Sequence, residues 1–231
     1  MMSRLVTSRL VTGRLMKAMA AGLLAAGLMT GCAALNPTAP SLYTLTPGTV
    51  VETGAPPVRW QLLVEPPAAS AGIDTPRIAV TRSATALDYF AGVSWADRAP
   101  NMVQGLIVQS FEDSRRIVSV GRDSAGLRSD FLLKTELRDF QAEFSDAGAA
   151  APDRVRVRLS AKLVAMPNRT IEAGETFDAV VPVRGSDFTD VIAAFNTALG
   201  QVEGALVDWT LRRGEAVFRA DAGRSRSAGS R

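Results

Sequence analysis

The chain of 231 residues carries 26 Lys and Arg against 23 Asp and Glu, with 47% hydrophobic residues, one cysteine and no histidine. This length is sufficient for one domain with a hydrophobic core. The lack of histidine excludes Ser-His-Asp and Cys-His catalytic arrangements and histidine-ligated metal sites, because each of them needs an imidazole.

The excess positive charge lies at the two ends of the chain. Residues 1–31 contain four bases and no acid, which leaves 22 bases against 23 acids in the rest. A second basic group lies beyond Leu211, so the central part of the chain is acidic. A general nucleic-acid surface is therefore not supported, and we expect no nucleic-acid partner.

The first segment, 1–31, has the pattern of a secretion signal that ends at the cysteine. Basic residues precede an uncharged run over 18–29, which is too short for a permanent membrane span. The run ends in Leu-Met-Thr-Gly-Cys, which resembles a bacterial lipobox with cleavage after Gly31 and acylation of Cys32. Three acyl chains, palmitate among them, would hold Cys32 stably on a membrane.

Alternatives remain for this segment. An ordinary signal peptide cut elsewhere would leave Cys32 as a free thiol in an oxidising compartment. Met1, Met2 and Met16 are all open as the start of the chain. The two alanines after the cysteine, without an aspartate, favour sorting to the outer membrane, with the domain facing the periplasm.

The segment 32–58 is predicted to be a tether, because it is rich in Pro, Thr and Gly. Within it, the apolar patch Tyr43-Thr44-Leu45 is able to dock as an edge strand. A folded domain is predicted over 59–211. Its first strands are expected at 60–65 and 77–81, next to prolines that stop or open them.

A helix is predicted from Pro100 to Ser114, with Asp97 or a neighbour as its cap. The chain then alternates apolar and polar residues with the period of a β-strand, and the apolar parity shifts near Arg138, which indicates a bulge. The strands expected in this half are 117–120, 131–144, 154–163 and 171–183, the last two forming a hairpin.

A long amphipathic helix is predicted from Ser186 or Asp187 to Trp209. Its Gly200 and Gly204 form a small-xxx-small pair that is expected to pack on the sheet. The basic tail 212–231 has few apolar residues and is predicted to be disordered. These elements predict one α+β domain, in which two helices cover one face of a mixed or antiparallel sheet of five to six strands.

Two groups of side chains are candidates for partner binding. A cationic stripe, able to hold lipid phosphates or an acidic partner, comprises Arg154, Arg156, Arg158 and Lys162. The alternative is a solvated sheet face paired across strands with Glu136, Glu172, Glu175 and Asp178. Trp95 lies before the first helix, where it either caps the core or anchors an interface.

The sequence contains no pattern that indicates an active site. No spacing singles out an acid and a base among the 23 carboxylates, and no glycine-rich phosphate loop follows a strand. We therefore expect a protein without catalytic residues, metal or cofactor. A histidine-free hydrolase remains as a rival, which a buried carboxylate pair in a cleft would support.

Several segments in order resemble the ABC-type transport auxiliary lipoprotein family, which includes the lipoprotein subunit of the paraquat-inducible intermembrane transport complex. The resemblance rests on Cys32 followed by Tyr43-Thr44-Leu45, on Leu63-Val64-Glu65-Pro66, on residues 73–80 (Ile-Asp-Thr-Pro-Arg-Ile-Ala-Val), and on Tyr89, Trp95-Ala96-Asp97 and Pro100. The last helix also fits the family. A departure is that paired tyrosines are often found where this chain has Leu42-Tyr43 and Tyr89-Phe90.

The resemblance implies a non-enzymatic periplasmic subunit that is acylated at Cys32. Its implied partners are an MCE-domain substrate-binding protein and the permease and ATPase of an ABC transporter, in a system that moves phospholipids or other hydrophobic molecules between inner and outer membranes. A homo-oligomer is also implied. Tyr43, Tyr89, Trp95 and Asp97 become the candidates for the partner interface. The rival within the same compartment is an outer-membrane lipoprotein with a structural or envelope-assembly role.

Overall fold

The computed structural model describes residues 39–48, 57–83, 85–123, 128–146 and 149–228. The strands are Ser41–Tyr43 (β1), Val58–Val64 (β2), Ala68–Ala69 (β3), Arg77–Ser83 (β4), Ala86–Trp95 (β5), Ile117–Arg122 (β6), Phe131–Glu143 (β7), Arg154–Ala165 (β8) and Thr170–Pro182 (β9). The helices are Ala99–Ser114 (α1) and Phe188–Ala228 (α2).

All the strands belong to one mixed sheet in which β7 is central. One edge of β7 pairs antiparallel with β8, and β8 pairs antiparallel with β9. The other edge pairs in parallel with β2, then β3, then β4 along its length. From there the sheet divides, because β2 continues to β6 while β4 continues to β5 and β1.

The register of β7 against β8 shifts at Arg138, between Leu137 and Asp139, which confirms the predicted bulge. Before the bulge Leu133 and Leu137 face the core, and after it Phe140 does so. The extra residue therefore keeps apolar side chains on one face of a strand of 13 residues.

Both helices pack on one face of the sheet, as predicted. On β8 the inward residues are fully buried and apolar; they are Val155, Val157, Leu159, Ala161 and Leu163. The largest side chains of this core are Trp60, Trp95, Phe111, Phe140 and Phe195. Among the described residues, neither helix has a stretch long and apolar enough to cross a membrane.

The predicted α+β class is confirmed, but the sheet has nine strands where five or six were expected. The short strand β1, of three residues, docks at the edge of the sheet and includes Tyr43 of the patch for which this was considered, whereas the two-residue strand β3 had no prediction. The strand β5 had no prediction, because most of its residues are exposed or half-buried without alternation. Its register against β4 shifts strongly, and Gly92 within it has a φ of 73°.

The structure corrects the prediction that the tail from Arg212 is disordered, since α2 continues to Ala228. Ion pairs one turn apart, Asp208 with Arg212 and Glu215 with Arg219, stabilise this part of the helix. Gly214 lies against the ring of Trp60, where a larger side chain would clash. The length of α2 was underestimated because the prediction used only the small number of apolar residues, and these local ion pairs were not considered.

Candidate functional site

The proposed acylation residue Cys32 and the cleavage residue Gly31 lie outside the described residues. The first described segment after them is 39–48, of which we call residues 41–48 the strap. Its first three residues form β1, and Tyr43 pairs in register with Trp95 of β5. The Ala96 backbone N–H also donates to the Tyr43 carbonyl at 2.7 Å. The strap therefore belongs to the folded domain, which begins earlier than the predicted residue 59.

After β1 the strap runs along α2 in the direction of the helix. The Thr46 N–H donates to Asn196 Oδ1 at 2.9 Å, and the Gly48 N–H donates to Glu203 Oε2 at 3.1 Å. Leu45, directly before Thr46, is buried in the core. These contacts fix the position and direction of the chain where it leaves the segment that carries Cys32.

The strap approaches α2 so closely that glycine is required on both sides. A Cβ built on Gly48 would overlap the Cα of Gly200, and one built on Gly200 would lie 3.0 Å from the Cα of Gly48. Gly200 therefore faces the strap and not the sheet, which corrects the expectation for the glycine pair. A Cβ on Gly204 would meet no neighbouring atom within 4 Å among those described.

This arrangement predicts opposite effects for two glycine substitutions. Gly48→Ala should lower the free energy of unfolding by about 2 kcal/mol, because the overlap pushes the strap away from α2. Gly204→Ala should raise it by about 0.5–1 kcal/mol, since alanine is the better helix former and has room there. Urea unfolding measures both values. Equal effects of the two substitutions would contradict the close packing of the strap.

Glu203 is the buried acid at the centre of this region. Its side chain is 1% exposed, and Ser110 of α1 donates its hydroxyl hydrogen to Oε2 at 3.1 Å. Burial raises the pKa of Glu203 to about 7, against the opposing effect of the hydrogen bonds from Gly48 and Ser110. The other oxygen, Oε1, has no hydrogen-bond partner among the described residues.

The role of Glu203 was not predicted from the sequence. The signal was an acidic residue next to Val202 on the apolar side of the helix pattern. The carboxyl joins the strap and α1 to α2, through partners that precede Glu203 by 155 residues (Gly48) and 93 residues (Ser110) in the sequence.

The four candidate interface residues do not form one exposed site. Tyr43 is half-buried with its ring 5.1 Å from that of Phe188. Tyr89 lies beneath the guanidinium of Arg77, which is 3.6 Å from the ring centre. Asp97 is exposed, and Trp95 is 1% exposed.

The burial of Trp95 excludes it as an exposed anchor and agrees with the core alternative. Its ring lies 5.1 Å from Phe195 and 5.6 Å from Phe140. Tyr43, Trp95 and Asp97 lie at the same end of the domain, where the strap begins. The assignment of Tyr43, Tyr89 and Asp97 to a partner interface stays a prediction.

The arginines of the cationic stripe are held in an ion-pair ladder on the sheet face away from the helices. Arg156 bridges Glu143 at 3.1 Å and Asp178 at 2.8 Å. Arg154 binds Glu143 at 2.8 Å, while Arg158 binds Asp178 at 3.0 Å. Arg158 also binds Asp139 at 3.2 Å. Asp178 was predicted as a partner from the sequence, but Glu143 and Asp139 were not. The ladder supports the paired alternative for this face.

Lys162 stands apart from this ladder. It lies directly opposite Lys134 in the β7–β8 register, and no ion pair of Lys162 is found among the described residues. Lys134 is paired with Glu65 at 2.6 Å. Like charges directly opposite each other destabilise a strand pair, so this position differs in kind from the arginine ladder.

The ladder predicts that Arg156→Ala affects stability more than membrane binding. Removing this guanidinium leaves Glu143 with Arg154 alone and should lower the free energy of unfolding by about 1 kcal/mol. Binding to anionic vesicles, measured by flotation, should equal that of the exposed control Arg213→Ala. A severalfold weaker flotation of folded Arg156→Ala would instead assign the stripe to lipid phosphates.

Comparison with known proteins gives the family. The model of the ABC-type transport auxiliary lipoprotein component matches residues 43–207, from the strap through about half of α2. The chain belongs to this family. The match begins at Tyr43, so the strap is part of the family domain.

Two solved structures resemble the fold. Protein XCC0632 from Xanthomonas campestris, of the family model DUF330, has 35% sequence identity and a TM-score of 0.71, covering 78% of this chain and 99% of its own. An uncharacterized protein with 13% identity and a TM-score of 0.58 covers 74% of this chain and 97% of its own. The latter supports the fold alone.

A curated relative is an uncharacterized protein of Bradyrhizobium diazoefficiens, which is 28% identical over 127 residues. The alignment covers 53% of this chain and 32% of that protein. The chain thus spans about a third of the length of this relative.

Proposed function

We propose that the chain is a non-enzymatic, lipid-anchored auxiliary subunit of an MCE-type ABC transport system. In this proposal it moves no cargo alone, but assists an MCE-domain substrate-binding protein, a permease and an ATPase. The system transfers phospholipids or other hydrophobic molecules between the inner and outer membranes. Acylated Cys32 holds the subunit on the outer membrane, facing the periplasm.

The observation that carries the proposal is the family match over residues 43–207. The strap supports a membrane-attached role, because it ties the first part of the domain to α2 soon after the lipobox in the sequence. Cys32 precedes Ser41 by nine residues. A tether of this length keeps the domain near the membrane while it binds partners.

The non-enzymatic part of the proposal is supported by the surroundings of four carboxylates, three of which are paired with arginines and one of which is buried. Glu143, Asp139 and Asp178 are neutralised by the arginine ladder. Glu203, whose pKa is strongly raised, lies beneath the strap and not in an open cleft. The buried carboxylate pair that would support a hydrolase is not found among the described residues.

The test is an affinity pull-down of the full acylated chain from its own cells, with a tag after Arg231. Intact-mass analysis of the N-terminus is expected to show acylated Cys32, and an MCE protein, permease and ATPase should copurify. Cys32→Ala is the matched control and should lose membrane attachment. An acylated chain that copurifies with none of these partners would overturn the transport role and favour the structural lipoprotein.

A further inference from the structure

The strand β9 forms an open edge of the sheet. Among the described strands it pairs only with β8, along all of its 13 residues. On an edge strand, every other residue directs its N–H and C=O groups away from the sheet. The other strands that pair on one side only, β1, β3 and β6, have three, two and six residues. β9 therefore carries the longest row of outward backbone groups in the described sheet.

This edge strand exposes large apolar side chains at both of its ends. Ile171 is 59% exposed and Val180 is 44% exposed. A long edge strand with exposed apolar residues is a template for pairing with another chain. The residues that usually block such an edge, lysine and an internal proline, do not occur in β9, whose single proline is its last residue. The edge is therefore open to an added strand.

A groove between the end of β9 and α2 runs beside this edge. Its volume is about 400 Å³, and every residue that lines it belongs to the described part of the chain. Val180 and Val181 both line it, and since successive residues of a strand point to opposite faces, the groove lies at the edge of β9. On α2 it is lined by small side chains such as Ala193 and Thr197. These leave room for side chains of an added strand.

The charge of β9 is entirely negative. The strand contains Glu172, Glu175 and Asp178 and no basic residue. Asp178 is held by Arg156 and Arg158 of the ladder. Glu172 and Glu175 were also candidates as partners of the cationic stripe, but both are exposed, and no ion pair of either is found among the described residues. Two unpaired carboxylates therefore lie on the open edge strand.

These carboxylates determine which kind of strand fits the edge. Pairing of β9 with the β9 of a second copy would bring three acids beside three acids in every register, and like charges across a strand pair are destabilising. An uncharged strand would leave Glu172 and Glu175 without an opposite charge. A strand with lysine or arginine beside them gains cross-strand ion pairs in addition to the backbone hydrogen bonds.

We propose that β9 binds an extended basic segment of a partner protein as an additional strand of the sheet. The backbone of the segment pairs with the outward groups of β9, and its basic side chains lie beside Glu172 and Glu175. Its apolar side chains cover Ile171 and enter the groove at Val180. The inference goes beyond the proposed function and does not rest on it, because a structural lipoprotein is able to use the same edge.

The test measures peptide binding by calorimetry to the mature chain with Cys32→Ala, which retains every described residue. The lysine peptide is Thr-Val-Thr-Lys-Thr-Lys-Thr-Val-Thr with both ends blocked. One control has glutamate in place of lysine, and the other is the lysine peptide with every backbone nitrogen methylated, which removes its hydrogen-bond donors. The lysine peptide is expected to bind at least tenfold tighter than either control. Equal binding of the lysine peptide and either control, or no binding of the lysine peptide, would overturn the proposal.

Charge-reversed variants locate the site. Glu172→Lys with Glu175→Lys should weaken binding of the lysine peptide at least tenfold and should make the glutamate peptide the tighter ligand, which also shows that the edge is still folded. Glu112→Lys with Asp113→Lys, at exposed residues of α1, changes the net charge by the same amount and should leave binding unchanged. Equal effects of the two double variants would indicate attraction by net charge alone and contradict the assignment to β9.

Two further measurements separate this edge from other surfaces and occupants. Amide hydrogen exchange should slow within residues 170–182 when the lysine peptide binds, and slowing confined to β6 would place the added strand at the wrong edge for the proposal. Sedimentation of the chain without peptide tests self-association. An oligomer that dissociates on Glu172→Lys with Glu175→Lys would assign the edge to a second copy and overturn the proposal. The pull-down described above is independent of these results.

Discussion

Glu203→Gln is expected to remove most of the pH dependence of stability between about pH 4.5 and pH 7. In the wild type, burial raises the pKa of Glu203 from 4.5 to about 7 in the folded chain. Between these values the folded state holds a proton that the unfolded state has lost. Stability is therefore full below pH 4.5, falls as the pH rises toward 7, and stays low above it.

The expected effect is large because the carboxyl is almost completely buried. A pKa displacement of this size corresponds to about 3 kcal/mol of free energy between pH 4.5 and pH 8. Glutamine cannot ionise, but its side-chain oxygen retains the ability to accept from Gly48 and Ser110. The variant should therefore show a flatter pH profile while keeping the strap on α2.

The measurement is urea unfolding of both proteins from pH 4.5 to pH 8. Glu112→Gln is the matched control, because Glu112 is exposed on α1 and should leave the wild-type slope unchanged. Amide hydrogen exchange over residues 43–48 reports the strap directly and should become faster in the wild type as the pH rises, beyond the intrinsic exchange rate. A Glu203→Gln profile as steep as that of the wild type would contradict the assignment.

Trp95→Ala is expected to lower the free energy of unfolding by roughly 3–5 kcal/mol. The indole is 1% exposed and contacts the rings of Phe140 and Phe195, so its removal leaves a cavity between β7 and α2. For a domain of this size, such a loss is a large fraction of the total stability. Thermal and urea unfolding measure the change.

The comparison with a half-buried aromatic makes this result specific. Tyr89→Ala removes a ring that is covered by Arg77 and should cost less than Trp95→Ala. Where Trp95→Ala does not fold, Trp95→Phe should fold and bind partners like the wild type in the pull-down. Loss of partners from a stable, folded Trp95→Phe variant would show a role for this residue beyond the core.

Much of the fold follows from local patterns in the sequence. The alternation over 154–163 marked β8 and its buried face, and the change of parity near Arg138 located the bulge in β7. The proline at residue 100 and the apolar spacing that follows predicted α1 almost to its ends. These signals are reliable because each depends on neighbours within a few residues.

Contacts between distant parts of the chain were not predictable in the same way. Nothing near Gly48 indicates that it meets Gly200, and nothing near Glu203 indicates that its partner is Ser110. The ladder is a similar case, since Asp178 could be inferred from hairpin pairing but Glu143 required the β7–β8 register. Such positions depend on topology, which a single sequence leaves open.

The helix α2 also determines how far its last described residue, Ala228, lies from the strap. The strap contacts Phe188 first and Glu203 later, so the chain enters beside the start of a helix that is 41 residues and about 60 Å long. Ala228 therefore lies at the far end of this helix from the first contact of the strap. Fluorophores on Tyr43 and Ala228 would measure this separation in solution and report whether α2 stays one continuous helix.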